Sequence, residues 1–349
     1  MFLDSVTQVA SVPDLLRLLA VPVFAWAAYH DLRTRRVANV TWLPLFVLGA
    51  VLLAVEGWAA LSAPAGSFER YAFTVRAVVS LGIVAPLGFL FWRLGGFGGA
   101  DAKALIALAV LLPTYPTYYL PGAVLPLEPS SLGVFSLTVL TNTVLVGLAY
   151  PLVLGVRNLL AGHRSVLMFL GKPVDSAVVD AEYGRLLETT EGRSRAGLDL
   201  DALRMYLRWR GTDLRALLDA PEAHRDPTSV GVTSAPGDGA IEDERVATDG
   251  GAVVSDVSDA QAARAETDAS SAEPFDDPWG AAAFLADIDG DAYGTTPDGL
   301  RAGIEVLVER DRVWLSPGLP FIVPMFVGLL VAFVYGDLLF AALQAVGLV

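Results

Sequence analysis

Asp31 and Asp101 are carboxylates in an unusual setting for their charge. Asp31 lies in Tyr29-His30-Asp31-Leu32-Arg33-Thr34-Arg35-Arg36, at the end of one apolar stretch. Asp101 lies in Gly95-Gly96-Phe97-Gly98-Gly99-Ala100-Asp101-Ala102-Lys103, at the start of another. Ionisable groups near bilayer depth are costly, so they point to function. Two carboxyls converging on one water can hydrolyse a peptide bond. The ionised one takes a proton from the water, and the protonated one gives a proton to the carbonyl oxygen. Gly98 and Gly99 leave the backbone before Asp101 free for close approach by an extended substrate. Lys103 adds a nearby cation that favours the ionised form of Asp101. The same two aspartates could instead hold a cation or proton in a six-span transporter. Transporter sites, however, usually lie near the midplane, and these two residues sit at one face.

Composition removes other chemistries. The 349 residues include no cysteine, which excludes a disulfide framework, a thiol nucleophile and a Cys-based zinc site. The only histidines, His30, His163 and His224, are too dispersed for a His-rich metal site. Asp287, Asp289 and Asp291 imitate the start of an EF-hand loop, but Ala292 stands where the turn requires Gly, so a solvated acidic turn is the better reading. No metal, cofactor or nucleic-acid partner is expected.

At 54% hydrophobic and 18% charged residues, the chain reads as an all-α polytopic membrane protein. Apolar cores at 15–30, 40–55, 72–92, 104–120, 132–156 and 319–336 suggest about six transmembrane helices. The runs are continuous rather than alternating, which disfavours a barrel. The first has acidic residues before it and no small-residue cleavage site, so it reads as a retained helix. Arg33, Arg35 and Arg36, then Arg93 and Lys103, then Arg157, Arg164 and Lys172 place three loops in the cytoplasm by the positive-inside rule. Both termini are then outside. The expected organisation is helices 1–5 in residues 1–156, a cytoplasmic insert, and helix 6 in 319–349.

The insert divides further. Residues 157–219 read as a helical segment in which Leu200, Leu203, Leu207 and Trp209 precede Gly211, and Thr212 is a plausible cap for a second helix. Residues 220–275, rich in Ala, Ser, Gly, Pro and Asp, read as an acidic disordered linker. Residues 276–318 are again helical, with a helix starting near Thr296-Pro297 and an apolar stripe of Leu300, Ile304, Leu307 and Val308. Residues 219–299 hold 19 of the 38 acids and three arginines, a local net charge of −16 within an overall −14. With lysine only at 103 and 172, this pattern suits a protein of a high-salt cell.

The segments Asp31-Leu32-Arg33-Thr34-Arg35-Arg36-Val37-Ala38-Asn39 and Gly98-Gly99-Ala100-Asp101-Ala102-Lys103-Ala104-Leu105 resemble the two active-site motifs of the type IV prepilin peptidases. The likeness is strongest to the archaeal branch that acts on prepilins and prearchaellins. Trp314-Leu315-Ser316-Pro317-Gly318-Leu319-Pro320-Phe321-Ile322-Val323-Pro324 is also similar to archaeal relatives. The resemblance implies a six-span, cofactor-free aspartic protease of the G-x-G-D type, with Asp31 and Asp101 catalytic and Gly98, Gly99 and Lys103 supporting them. Its partners would be the bilayer and the pilin and archaellin precursors, whose basic leaders are cut on the cytoplasmic side. Ala100 departs from the motif, standing where Gly precedes the aspartate. Without cysteines, and without a site for S-adenosylmethionine, the resemblance implies peptidase activity alone and no methylation.

Overall fold

The computed structural model describes residues 9–34, 37–94, 97–194, 197–241, 277–288, 292–317 and 321–348. They form two compact units, residues 1–153 with 319–349, and residues 154–318.

The first unit is helical. Ser11 caps α1 (Val12–Arg17) by accepting from the Asp14 N–H, and α2 (Ala20–Thr34) continues it. The buried residues of α2 are Ala20, Phe24, Ala27, Ala28 and Asp31. Their spacing is that of a single helical stripe, so Asp31 belongs to the face that packs inward. A 3₁₀ turn (Asn39–Trp42) leads into α3 (Leu43–Ser62). Val47, Val51, Val55 and Trp58 of α3 form an exposed stripe, an arrangement suited to lipid. Helix α4 (Phe68–Val79) runs through a π turn (Ser80–Val84) into α5 (Ala85–Arg93). Pro86 sits at the head of α5, where it removes an N–H from the helical ladder, and the π turn lies immediately before it.

Helix α6 (Gly99–Leu111) is the centre of the unit. Ala102, Ala104, Leu105, Ala107, Leu108, Ala109 and Leu111 are all buried, so it is surrounded rather than amphipathic. Small residues let its neighbours close in. A Cβ at Gly49 of α3 would lie 2.9 Å from the Leu111 Cα, and one at Gly88 of α5 would lie 3.2 Å from the Ala102 carbonyl oxygen. Helix α6 is shorter than the apolar core 104–120 suggests. Pro113 and Pro116 cannot continue it, and a hairpin of β1 (Tyr118–Leu120) and β2 (Ala123–Leu125) follows. Helix α7 (Phe135–Leu160) completes the first five helical regions.

The second unit contains a three-stranded antiparallel sheet, with β7 (Arg312–Ser316) between β3 (Lys172–Asp175) and β4 (Arg185–Leu186). Val174 pairs with Val313 and Leu186 with Leu315. A short hairpin, β5 (Glu188–Thr189) and β6 (Gly192–Arg193), lies nearby in sequence. Helix α8 (Leu200–Arg210) ends at Gly211, whose φ of 67° is left-handed. Asp213, not Thr212, caps α9 (Leu214–Asp219). The acidic linker expected from residue 220 begins later than composition suggests. Residues 221–241 include α10 (Pro221–Arg225) and bond to the rest of the unit, with Arg225 pairing bidentately to Glu305 and Arg204 donating to the Gly239 carbonyl. Guanidinium bonds supply here what apolar burial does not. The remainder of that expectation, 242–275, lies outside the described residues, as do Asp289 and Asp291 of the EF-hand-like run. Next come α11 (Ala281–Asp287) and α12 (Pro297–Glu309), the latter capped by Thr296 as expected, with Leu300, Ile304 and Leu307 buried.

The chain then returns to the first unit as α13 (Ile322–Val334) and α14 (Leu338–Ala345). The expected sixth span is therefore broken. Gly336, with φ of 109°, turns the chain between the two helices, and a Cβ there would meet the Glu128 carbonyl oxygen at 2.0 Å. Asn142 of α7 fixes the turn from both sides, donating to the Gly336 carbonyl at 2.8 Å and accepting from the Leu338 N–H at 3.0 Å. Asp337 is buried; it caps α14 and accepts from Thr138. Among the described residues four helical stretches are long and apolar enough to cross a membrane: Val12–Thr34, Asn39–Ser62, Phe68–Arg93 and Phe135–Leu160.

Candidate active site

Asp31 sits three residues before the end of α2 and is buried, at 7% exposure. Asp101 occupies the first turn of α6. The Asp31 charge bears on the Asp101 carboxyl, which puts the two in the same part of the unit. The stripe on α2 explains one half of this convergence, because it turns Asp31 inward. The capping of α6 explains the other. The Asp101 Oδ2 accepts from the Gly98 N–H at 3.0 Å, which draws the carboxylate back over the helix start.

Gly98 has a steric role here. A Cβ at this position would lie 3.0 Å from the same Asp101 oxygen. Gly99 is looser, since its Cβ would meet only the Trp92 indole nitrogen at 3.8 Å. Lys103, expected as a cation beside Asp101, has its ammonium engaged elsewhere: it donates to the Asn39 Oδ1 at 2.6 Å. Arg33 lies over the Tyr29 ring at 5.1 Å, and His30 stacks on Trp26 at 5.0 Å. Arg35 and Arg36 lie outside the described residues.

One contributor escapes a reading of the two motifs. The Ile322 N–H, in the first turn of α13, donates to the Asp101 carboxyl. Phe321 beside it packs on Phe97 with ring centroids 4.4 Å apart, and the Phe97 N–H donates to the Phe91 carbonyl at 3.1 Å. The loop before Asp101 is thus held against the start of α13. The signal in the sequence was the Pro-Phe-Ile-Val-Pro run at 320–324, whose likeness to archaeal relatives marked the segment without showing what it touches.

Two backbone donors thus hold the Asp101 carboxyl, and the Asp31 charge bears on it. A close pair of carboxyls cannot both be charged without strong repulsion.

Two stretches of the chain match known families. Residues 18–152 match the type IV leader peptidase family, and residues 295–338 match the archaeal peptidase A24 C-terminus, type II. Over residues 18–152 the chain is thus similar to the type IV leader peptidases. It is similar to a preflagellin peptidase of Methanococcus maripaludis, at 30% identity over 154 residues, which cover 42% of this chain and 62% of that relative. A preflagellin peptidase of Methanococcus voltae is 27% identical over 176 residues, covering 48% of this chain and 70% of the relative. The prepilin peptidase EppA of Methanothermobacter thermautotrophicus is 31% identical over 131 residues, covering 37% and 31%.

Proposed function

We propose that the chain is a membrane-embedded aspartic endopeptidase. It removes the basic leader from type IV pilin-like and archaellin precursors on the cytoplasmic side of the membrane. The observation that carries this reading is that the charge of Asp31, on the inward face of α2, bears on Asp101 in the first turn of α6, both within the stretch that matches the leader peptidases. In this mechanism one carboxylate takes a proton from water, which attacks the carbonyl carbon. The other, protonated, carboxyl donates to the carbonyl oxygen. The roles then reverse to protonate the leaving amine. The substrate's leader stays on the cytoplasmic side by the same charge asymmetry that orients the enzyme, and its apolar helix lies in the bilayer beside α2 and α6. Six crossings, with residues 154–318 on the cytoplasmic side and both termini outside, complete the proposal.

The experiment is co-expression with a tagged pilin precursor, followed by mass analysis of the product. A product shortened by its leader supports the proposal. An intact precursor alongside aspartate-dependent proton or cation flux in vesicles would instead favour a transporter.

A further inference from the structure

The Lys103–Asn39 hydrogen bond joins the two motif segments, and the geometry points to this pair as positioning residues for the two aspartates. The inference rests on the peptidase reading above. Lys103 follows Asp101 by two positions, about 200° around the helix, so the bond grips α6 on a different side from the carboxyl. Asn39 opens the 3₁₀ turn Asn39–Trp42. That turn is anchored at its other end by Trp42, fully buried, whose ring lies 5.1 Å from Phe24. Phe24 shares the buried stripe of α2 with Asp31.

A closed path therefore runs from Asp31 along α2 to Phe24, across to Trp42, through the turn to Asn39, and over Lys103 to α6 and Asp101. Its weakest link is the single side-chain bond at 2.6 Å. Asp101 and Lys103 are the polar side chains of α6, so losing the bond removes the Lys103 restraint on a small rotation of the helix. A carboxyl about 6 Å from a helix axis moves by about 1 Å for a 10° turn, and a misplacement of that size can lower a rate by about 10²-fold.

The pair is tested in the full-length chain with a purified, tagged pilin precursor as substrate. Asn39→Leu and Lys103→Met should each lower kcat by about 10- to 100-fold, with KM and both limbs of the pH–rate profile little changed. The double variant should lose no more than either single one, because both remove the same bond. Asn39→Asp retains an acceptor and should keep most of the wild-type rate. Multiplying losses in the double variant would overturn the proposal. So would a shifted pH profile in Lys103→Met with Asn39→Leu fully active, which would instead make Lys103 an electrostatic partner of Asp101.

A second measurement does not depend on activity. The chain has no cysteine, so a short bis-thiol crosslinker can bridge only the two thiols of an Asn39→Cys/Lys103→Cys variant. The bridge should form efficiently and raise that variant's kcat at least tenfold. Failure to crosslink, or a crosslinked enzyme no faster than before, refutes the pair. An inactive wild-type enzyme with efficient crosslinking would fault the peptidase reading and leave the contact standing.

Discussion

In residues 9–153 a fully buried guanidinium, that of Arg17, meets four partners; in residues 154–318 Arg204 is bonded as fully, but the more exposed arginines meet one or two carboxylates each. Arg17 is 2% exposed and bonds Asp14 at 2.7 Å, Glu56 at 2.6 Å, Thr114 at 3.1 Å and the Leu111 carbonyl at 3.3 Å. In the second unit, by contrast, Arg185 pairs with Asp199, Arg225 with Glu305 and Arg310 with Glu188, all partly exposed. The difference follows from what surrounds each unit. Where the outside is apolar as well as the inside, water cannot complete a charge's hydrogen bonds, so the protein must supply all of them. Where one side is water, one or two partners suffice and each pair contributes little.

The comparison can be broken most severely at the two carboxylates of the candidate site. Asp31→Asn and Asp101→Asn keep shape and lose the ionisable group. Each should lower cleavage by at least about 10³-fold while the protein accumulates normally in membranes. Near-normal turnover in either would end the aspartic mechanism. Next in size is Arg17→Met, which strands Asp14 and Glu56 in an apolar setting and should cost about 3 to 4 kcal/mol, read by denaturant unfolding in detergent. Adding Glu56→Gln should return part of that loss.

The second unit has its own buried pair to test. Asp277 is 3% exposed, bonds Arg301 at 2.6 Å and accepts from the Ala282 and Ala283 N–H groups. Burial works against its charge, but the backbone donors and Arg301 outweigh it and hold the carboxyl below the usual range. Its contribution is therefore present above the unfolded value, near pH 4, and is lost as pH falls through the lower folded value. Asp277→Ala should cost about 3 kcal/mol at neutral pH, and the gap to wild type should narrow below about pH 4. A gap independent of pH in thermal melts of the full chain would show that packing, not charge, sets the loss. The smallest effect is expected from residues 242–275. Replacing them with a Gly/Ser segment of half the length should change stability by about 0.6 kcal/mol and leave cleavage intact; loss of cleavage would give the acidic run a role beyond connection.

The parts of the site that were legible in sequence are those fixed by local rules. The helical stripe through Phe24, Ala27 and Asp31 and the glycines before Asp101 follow from spacing and residue type. Thr296-Pro297 likewise starts a helix where local chemistry says it should. What was not legible depends on contacts distant in sequence. An apolar run through 104–120 does not reveal that Pro113 and Pro116 end the helix inside it. No local signal shows that Asn142 holds the turn at Gly336, that Lys103 reaches Asn39, or that the Ile322 N–H meets Asp101. The composition of 220–241 is that of a linker, yet Arg204 and Arg225 bind it down through bonds that hydropathy does not count.

The Ile322 contact has a consequence for biosynthesis. Both aspartates emerge from the ribosome early, but the backbone donor and the Phe321 ring that complete the Asp101 pocket are made more than 200 residues after it. A nascent chain that has reached only α7 holds the two carboxyls without the third wall. The pocket closes only when the last segment joins helices already in the membrane. Synthesis order thus delays the finished site until the chain is nearly complete, and a truncated product ending before residue 319 would reside in the membrane with the pocket open.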